Sequence, residues 1–273
     1  MKMIGRAALL FSFLTGGSLS YADTILVTAA NFGVLGASTV TNTGPSVING
    51  DLGLYSGLSI TGFPPGIVNG TTYDGDDHAM AAQADALAAY NALAGMAPDD
   101  NLTGQDLGGL LLLPGIYKFD DSAGLTGALT LNFQGLSNQV FVFQIGSTLT
   151  TASASSVLLI NPGADDRVYW QVGSSATLGT TTAFYGTIIA DQSITLTTGA
   201  TIDCGNVLAL NAAVTMDTNT VSVDTCSTVP DTSTPEPSTA LLLAAGLIAG
   251  AAWITRAKSR LILFRWQSRK RAA

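Results

Sequence analysis

Charge is what this sequence has least of. Only 11% of its 273 residues are charged, and the eleven Lys and Arg sit almost wholly at the ends. Lys2 and Arg6 open the chain and seven more follow Trp253, which leaves Lys118 and Arg167 for the middle, against nineteen acids from Asp23 to Glu236. A nucleic-acid binder needs a basic footprint, so that class is excluded, and the acidic middle disfavours anionic partners generally. Histidine occurs once, at position 78, so any histidine-based zinc site or triad would have to pass through it. No serine stands in a nucleophile elbow, and no Cys-x-x-Cys is present. β-Helical polysaccharide lyases need paired carboxylates with Lys or Arg to neutralise uronic acids, and two central basic residues fit that poorly. These shortages point to a non-enzyme with no metal and no cofactor. The acid-dense run Tyr73-Asp74-Gly75-Asp76-Asp77-His78 has the density of a calcium loop, but reads more simply as a turn feeding a helix N-terminus. Asp165-Asp166-Arg167 reads as a solvated turn.

Hydrophobic residues make up 47% of the chain, which rules out intrinsic disorder. The ends carry targeting signals. Residues 1–22 read as a secretory signal peptide: Lys2 and Arg6, then the apolar Ala7 to Leu14, then a small-x-small site at Ser20-Tyr21-Ala22. Near the other end a linker, 229–238, contains Pro235-Glu236-Pro237-Ser238, followed by an apolar segment, 239–255, and a basic tail, 256–273. A helix breaker, a short apolar run and a positive stop make a membrane anchor, at least a transient one. Between the ends, 23–228 forms the main domain. Its late cysteines, Cys204 and Cys226, either form a disulfide, as an exported protein allows, or leave Cys204 in the core as a small hydrophobe.

Within that domain one segment reads as a helix, about 76–95. It is alanine-rich, opens on Asp76-Asp77, closes at Gly95, and cannot continue past Pro98. Met80, Leu87 and Ala94 recur at seven-residue spacing, flanked by Tyr90 and Leu93, and mark the face expected to pack. Nearly everything else reads as short strands, such as Val140 to Ile145, Val157 to Ile160, Val168 to Val172 and Gly186 to Ala190.

Repetition decides how such strands assemble. Thr148-Leu149-Thr150-Thr151, Thr177-Leu178-Gly179-Thr180, Thr195-Leu196-Thr197-Thr198 and Thr215-Met216-Asp217-Thr218 share one pattern at intervals of 29, 18 and 20 residues. The last two intervals suit one turn of a three-sided β-helix; the first needs an insertion or a second turn. With Leu149, Leu178, Leu196 and Met216 inward, Thr148, Thr177, Thr195 and Thr215 face outward. Thr150 and Thr197 extend that face, and Gly179 and the unwelcome charge of Asp217 hold the same position in the other two repeats. Thr151, Thr180, Thr198 and Thr218 fall at the corner. Stacked in this way, the threonines form ladders on a flat face low in charge.

Several stretches carry a resemblance to a known family. They include Ala30 to Gly44, Val47 to Gly53, Thr61-Gly62-Phe63-Pro64-Pro65-Gly66, Leu113 to Tyr117, Phe141 to Ile145 and Tyr169 to Thr177. Together they resemble a widespread microbial ice-binding domain over about Ala29 to Asp224. The resemblance implies an irregular right-handed three-sided β-solenoid with one long helix alongside, non-enzymatic, monomeric, and adsorbing to the ice crystal surface to inhibit growth or recrystallisation. It also implies an ice face of the form Thr-Ala/Gly-x-Thr/Asn, which Thr198-Gly199-Ala200-Thr201 matches in full. That adds Thr201 to the candidates and leaves open which of two adjacent faces meets ice. The C-terminal segment resembles the PEP-CTERM sorting signal of Gram-negative bacteria, which implies recognition by export machinery and a place at the cell surface or in the extracellular matrix. The alternative on the same residues is a surface adhesin or matrix protein without ice affinity.

Overall fold

The computed structural model describes residues 25–57 and 59–223. The signal peptide, Cys226, the linker, the apolar segment and the basic tail lie outside the described residues. Among the described residues no helix is long and apolar enough to cross a membrane.

The short strands stack into three parallel sheets that the chain visits in rotation. Sheet A has nine strands, from Asp100–Asn101 at one end to Thr72–Asp74 at the other. Sheet B has seven, from Ala123–Leu125 to Ile60–Thr61, and sheet C eight, from Leu111–Leu112 to Ile67–Val68. Alternate side chains of every sheet point into one shared interior. That core is aliphatic toward sheet B and aromatic toward sheet A, where Trp170 stacks on Phe143 with ring centroids 4.0 Å apart and Phe184 lies 4.8 Å away. The buried indole is satisfied, since Trp170 Nε1 donates to the Tyr185 carbonyl at 3.0 Å.

The stacking order is not the chain order. The chain starts inside the stack at Phe32–Gly36, runs through two turns to Thr72–Asp74 at one end, and crosses to the other end along the outside of sheet A. From Asp100–Asn101 it then climbs back, coil upon coil, until its last turn meets its first. That meeting is a seam in all three sheets. Val207–Ala209 pairs with Phe32–Gly36, Val214–Asp217 with Val40–Thr43, and Thr220–Ser222 with Val47–Asn49, each in parallel register.

The crossing is made by the α-helix Asp77–Ala94, whose 18 residues span about 27 Å at 1.5 Å per residue. Its ends fall as the sequence signals them: the Asp76 carboxylate accepts from the Ala79 amide at 2.9 Å, and Gly95 closes the last turn. Its packing face differs from expectation. Met80 and Leu87 stay exposed, at 42% and 49%, while Ala79, Ala82, Ala86, Ala89 and Leu93 are buried. Small methyls let the helix lie close on the outer side chains of sheet A, among them Leu35, Val142, Tyr169, Ile189 and Leu208. Closeness also creates polar debts, which two glutamines settle. Gln144 Nε2 donates to the carbonyls of Leu93 and Met96 at the helix end, and Gln83 Nε2 donates to those of Gly36 and Ala209 across the seam.

Cys204 is buried. The seam itself is pinned by Asn206, which is buried. Its Nδ2 donates to the Ala30 and Phe32 carbonyls at 3.0 and 2.7 Å, and its Oδ1 accepts from Thr187 Oγ1 at 2.7 Å. Asn206→Ala takes the Asn206 partner away from the buried Phe32 carbonyl, the half-buried Ala30 carbonyl and the Thr187 hydroxyl. It is expected to lower the unfolding free energy by roughly 2–3 kcal/mol in denaturant titration; an unchanged midpoint would mean the seam is held by something else.

Candidate functional site

Sheet A is covered by the helix, so two sheets present outer faces to solvent. They differ in kind. On sheet C the outward positions run through Leu111, Thr130 and Leu158 in one row and Ala183, Thr201, Thr220 and Val47 in another, with Tyr185, Asp203, Ser222 and Asn49 beside them. Apolar, aromatic and charged groups alternate there without a repeat.

Sheet B is uniform. Its register aligns Gly124, Thr150, Thr177, Thr195, Thr215, Thr41 and Thr61, so six threonines stand in one unbroken outward row. Parallel strands set the step between them at about 4.7–4.9 Å. The inward neighbours on one side are Ala123, Leu149, Ala176, Ile194, Val214, Val40 and Ile60, all apolar. One position further back lies a second outward row of Ser122, Thr148, Ser175, Ser193, Ala213, Thr39 and Ser59. Its hydroxyls bond along the row, Thr148 Oγ1 to Ser122 Oγ at 2.9 Å and Ser175 Oγ to Ser193 Oγ at 3.0 Å. A hydroxyl bonded to its row neighbour is held in one rotamer, which makes the face rigid as well as flat.

On the other flank, toward the corner with sheet C, stand Thr197, Asp217 and Thr43, with Asp217 directly beside Thr43. Asp217 is the one charged residue among these outward rows. Beyond it the backbone turns through a left-handed residue in each coil: Ala154, Thr181, Gly199, Thr218 and Gly44 all have φ between 55° and 80°. The bend falls four residues after the row threonine at Ala154, Thr181 and Gly199, and three after it at Thr218 and Gly44, so the edge shortens by one residue between Gly199 and Thr218.

Measured against this geometry, the expected residues divide. Thr150, Thr177, Thr195 and Thr215 share the row, and Thr197 flanks it. Thr148 lies one row back, because the first repeat is shifted by two residues: Thr150, not Thr148, is opposite Thr177. The coil from 150 to 177 is therefore a single enlarged turn, its extra length taken up by the five-residue strand Ser156–Ile160 and the loop after it. Thr180, Thr198 and Thr218 are exposed at the corner. Thr151 is misplaced in the expectation. It occupies the inward position next to Leu178 and is buried, its Oγ1 bonding Thr182 Oγ1 and accepting from the Gly179 amide, both at 2.8 Å. Thr201 stands on sheet C between Ala183 and Thr220.

Sequence reasoning missed Thr41 and Thr61. Val40-Thr41-Asn42-Thr43 and Ile60-Thr61 carry the same apolar-Thr alternation, but Asn42 breaks the pattern where Leu196 and Met216 stand in neighbouring coils. The amide is accommodated inside because its Nδ2 donates to the Gly44 and Gly62 carbonyls at 2.9 and 2.8 Å.

Comparison with known proteins bears directly on this face. Residues 34–222 match the family described as Ice-binding-like, and residues 233–257 match the PEP-CTERM protein-sorting motif. The chain is 55% identical over 246 residues to an ice-binding protein of Nostoc sp. (strain HG1), covering 89% of this chain and 91% of that one. The structure superposes with a TM-score of 0.69 on the crystal structure of an ice-binding protein from the Antarctic ascomycete Antarctomyces psychrotrophicus, at 43% identity over 72% of this chain and 97% of that one. An ice-binding protein from an Antarctic biological consortium gives the same TM-score at 47% identity, covering 72% and 89% of the respective chains.

Two threonines separate what the face needs from what the fold needs. Thr151→Val strips the Gly179 amide of its acceptor and should cost about 1–3 kcal/mol of unfolding free energy. Thr215→Val, on the exposed row, should stay within about 0.5 kcal/mol. Equal losses in denaturant titration would contradict the assignment of one residue to the interior and the other to the surface.

Proposed function

The chain belongs to the ice-binding-like family, and from that premise we propose that it works outside the cell as an antifreeze protein that adsorbs to ice through the outer face of sheet B. The observation that carries the choice of face is the unbroken row of Thr150, Thr177, Thr195, Thr215, Thr41 and Thr61.

The chemistry is that of a surface rather than a pocket. Each threonine offers a methyl, which water covers without strong bonds, and a hydroxyl, which fixes one water molecule. Spaced by the strand repeat, the hydroxyls hold the first layer of water in a fixed array while the methyls deny it alternative partners. An array already ordered joins a growing ice face with little further loss of entropy, the same advantage any preorganised binding surface has. Side chains stiff at χ1, beside a row whose hydroxyls bond to one another along its length, keep that array from wandering. Ions would disrupt it, which gives the scarcity of charge on this face a purpose.

Bound molecules then pin the ice front and slow its growth or recrystallisation. The account needs no catalytic group, metal or cofactor, and one copy presents a complete face, so the protein acts as a monomer. The C-terminal sorting motif supports export to the cell surface or beyond it. A Gram-negative host, and contact with the membrane through residues 239–255 during sorting, complete the proposal.

The test is recrystallisation inhibition by the purified protein beside two lysine variants. Thr177→Lys sets a cation on the row and is expected to raise the concentration needed by roughly tenfold or more. Leu158→Lys, on sheet C, should change it little. If Leu158→Lys abolishes the effect and Thr177→Lys does not, sheet B is the wrong face; if the unaltered protein leaves ice untouched, the function is wrong.

A further inference from the structure

The carboxylate of Asp217 is out of character on a surface that works by lacking charge, and its surroundings say why it is there. Asp217 Oδ1 accepts from Thr218 Oγ1 at 3.0 Å, and its Oδ2 accepts from Thr198 Oγ1 of the preceding coil in a short hydrogen bond. Both oxygens are thus engaged by threonine hydroxyls at the edge of the face. The arrangement sits where the corner changes length. After Leu196 two residues, Thr197 and Thr198, precede the left-handed Gly199, whereas after Met216 only Asp217 precedes the left-handed Thr218. Asp217 therefore stands opposite a two-residue segment and reaches down to it. From the coil above, the site is closed by Gly44: a Cβ there would come 2.4 Å from Thr218 Oγ1 and 3.3 Å from Asp217 Oδ1.

A threonine hydroxyl has one proton. Thr198 and Thr218 each give theirs to Asp217, so toward water both offer only acceptor lone pairs and a methyl. A charge-assisted bond of this kind also holds the hydroxyl rotor far more firmly than a water contact does. We propose that Asp217 is a positioning residue for the ice face: it fixes the hydroxyls of Thr198 and Thr218 in one orientation, and so sets the polarity of the water layer along the edge where the corner shortens. Its charge is spent on the protein rather than on solvent, which is how the face tolerates it. The inference rests on sheet B being the ice-binding face.

The test compares the unaltered protein with Asp217→Asn, Asp217→Thr and Thr198→Val/Thr218→Val in thermal hysteresis and recrystallisation inhibition, with thermal unfolding measured alongside. Asp217→Asn keeps the shape but replaces one acceptor with a donor. Activity is expected to fall roughly three- to tenfold, as for loss of one fixed polar contact, with the melting temperature held. Asp217→Thr, which makes the edge neutral, should fall likewise. Adding Asp217→Asn to Thr198→Val/Thr218→Val should cost nothing more, because the hydroxyls it orients are gone; a purely structural role would lower the melting temperature and add in full. Equal or higher activity in Asp217→Thr would overturn the proposal and make the carboxylate a defect in the face. If Asp217→Asn fails to fold, the comparison of Asp217→Thr with Thr198→Val/Thr218→Val decides. If the unaltered protein itself is inactive on ice, the functional reading fails first and takes this inference with it.

Discussion

Everything the protein presents to its surroundings depends on parallel register held across the seam between its first coil and its last. Val40–Thr43 lies beside Val214–Asp217 with Thr41 opposite Thr215. A slip of one residue there would turn Thr41 inward and set Val40 on the surface, because side chains alternate strictly along a strand. The row would then end at Thr215, four threonines long. What prevents the slip is burial on the inner side, with Val40, Val214 and Ile194 packed in the core, together with Asn206 tying the chain before Phe32 to the last coil.

Seen this way, the three sides of the solenoid divide the labour. Sheet A takes the helix, and alanines at the contact bring the two close enough for Gln83 and Gln144 to satisfy backbone carbonyls. Sheet C carries mixed side chains and the irregular loops, including the enlargement after Ser156–Ile160. Sheet B is thereby left free of insertions on its flat side. The aromatic stack of Trp170 on Phe143 fills the wide part of the interior near sheet A, while small and branched aliphatics back sheet B. A face that must match a crystal needs stiff support from within, and close packing supplies it.

Local features of this sequence declare their own structure, whereas topological ones do not. Asp76 and Gly95 bound the helix because capping is a matter of a few neighbouring residues. Its buried face is not the one hydrophobicity marks, because Met80 and Leu87 outweigh alanine on any hydrophobicity count, whereas a helix lying flat on a sheet selects for smallness. The solenoid followed from the threonine repeat, but its register did not. Thr148-Leu149-Thr150-Thr151 aligns with the other repeats at Thr148, and only the partner strand shows that Thr150 is the residue opposite Thr177. Thr41 and Thr61 escaped for a different reason. They precede the repeat in the chain by 107 and 87 residues, counted to Thr148, and join it only because the last coil returns to the first. The polar Asn42 at an inward position masked the alternation that would have marked them.

The central claim is that this row orders water in advance of ice, continuously across the seam. Diffraction from crystals of the protein at atomic resolution, with sheet B free of lattice contacts, tests it most directly. The account predicts a rank of well-ordered waters along sheet B from Thr150 to Thr61, repeating at the strand spacing and unbroken between Thr215 and Thr41. Waters over sheet B as sparse and irregular as those over sheet C, or a rank that stops at the seam, would contradict it.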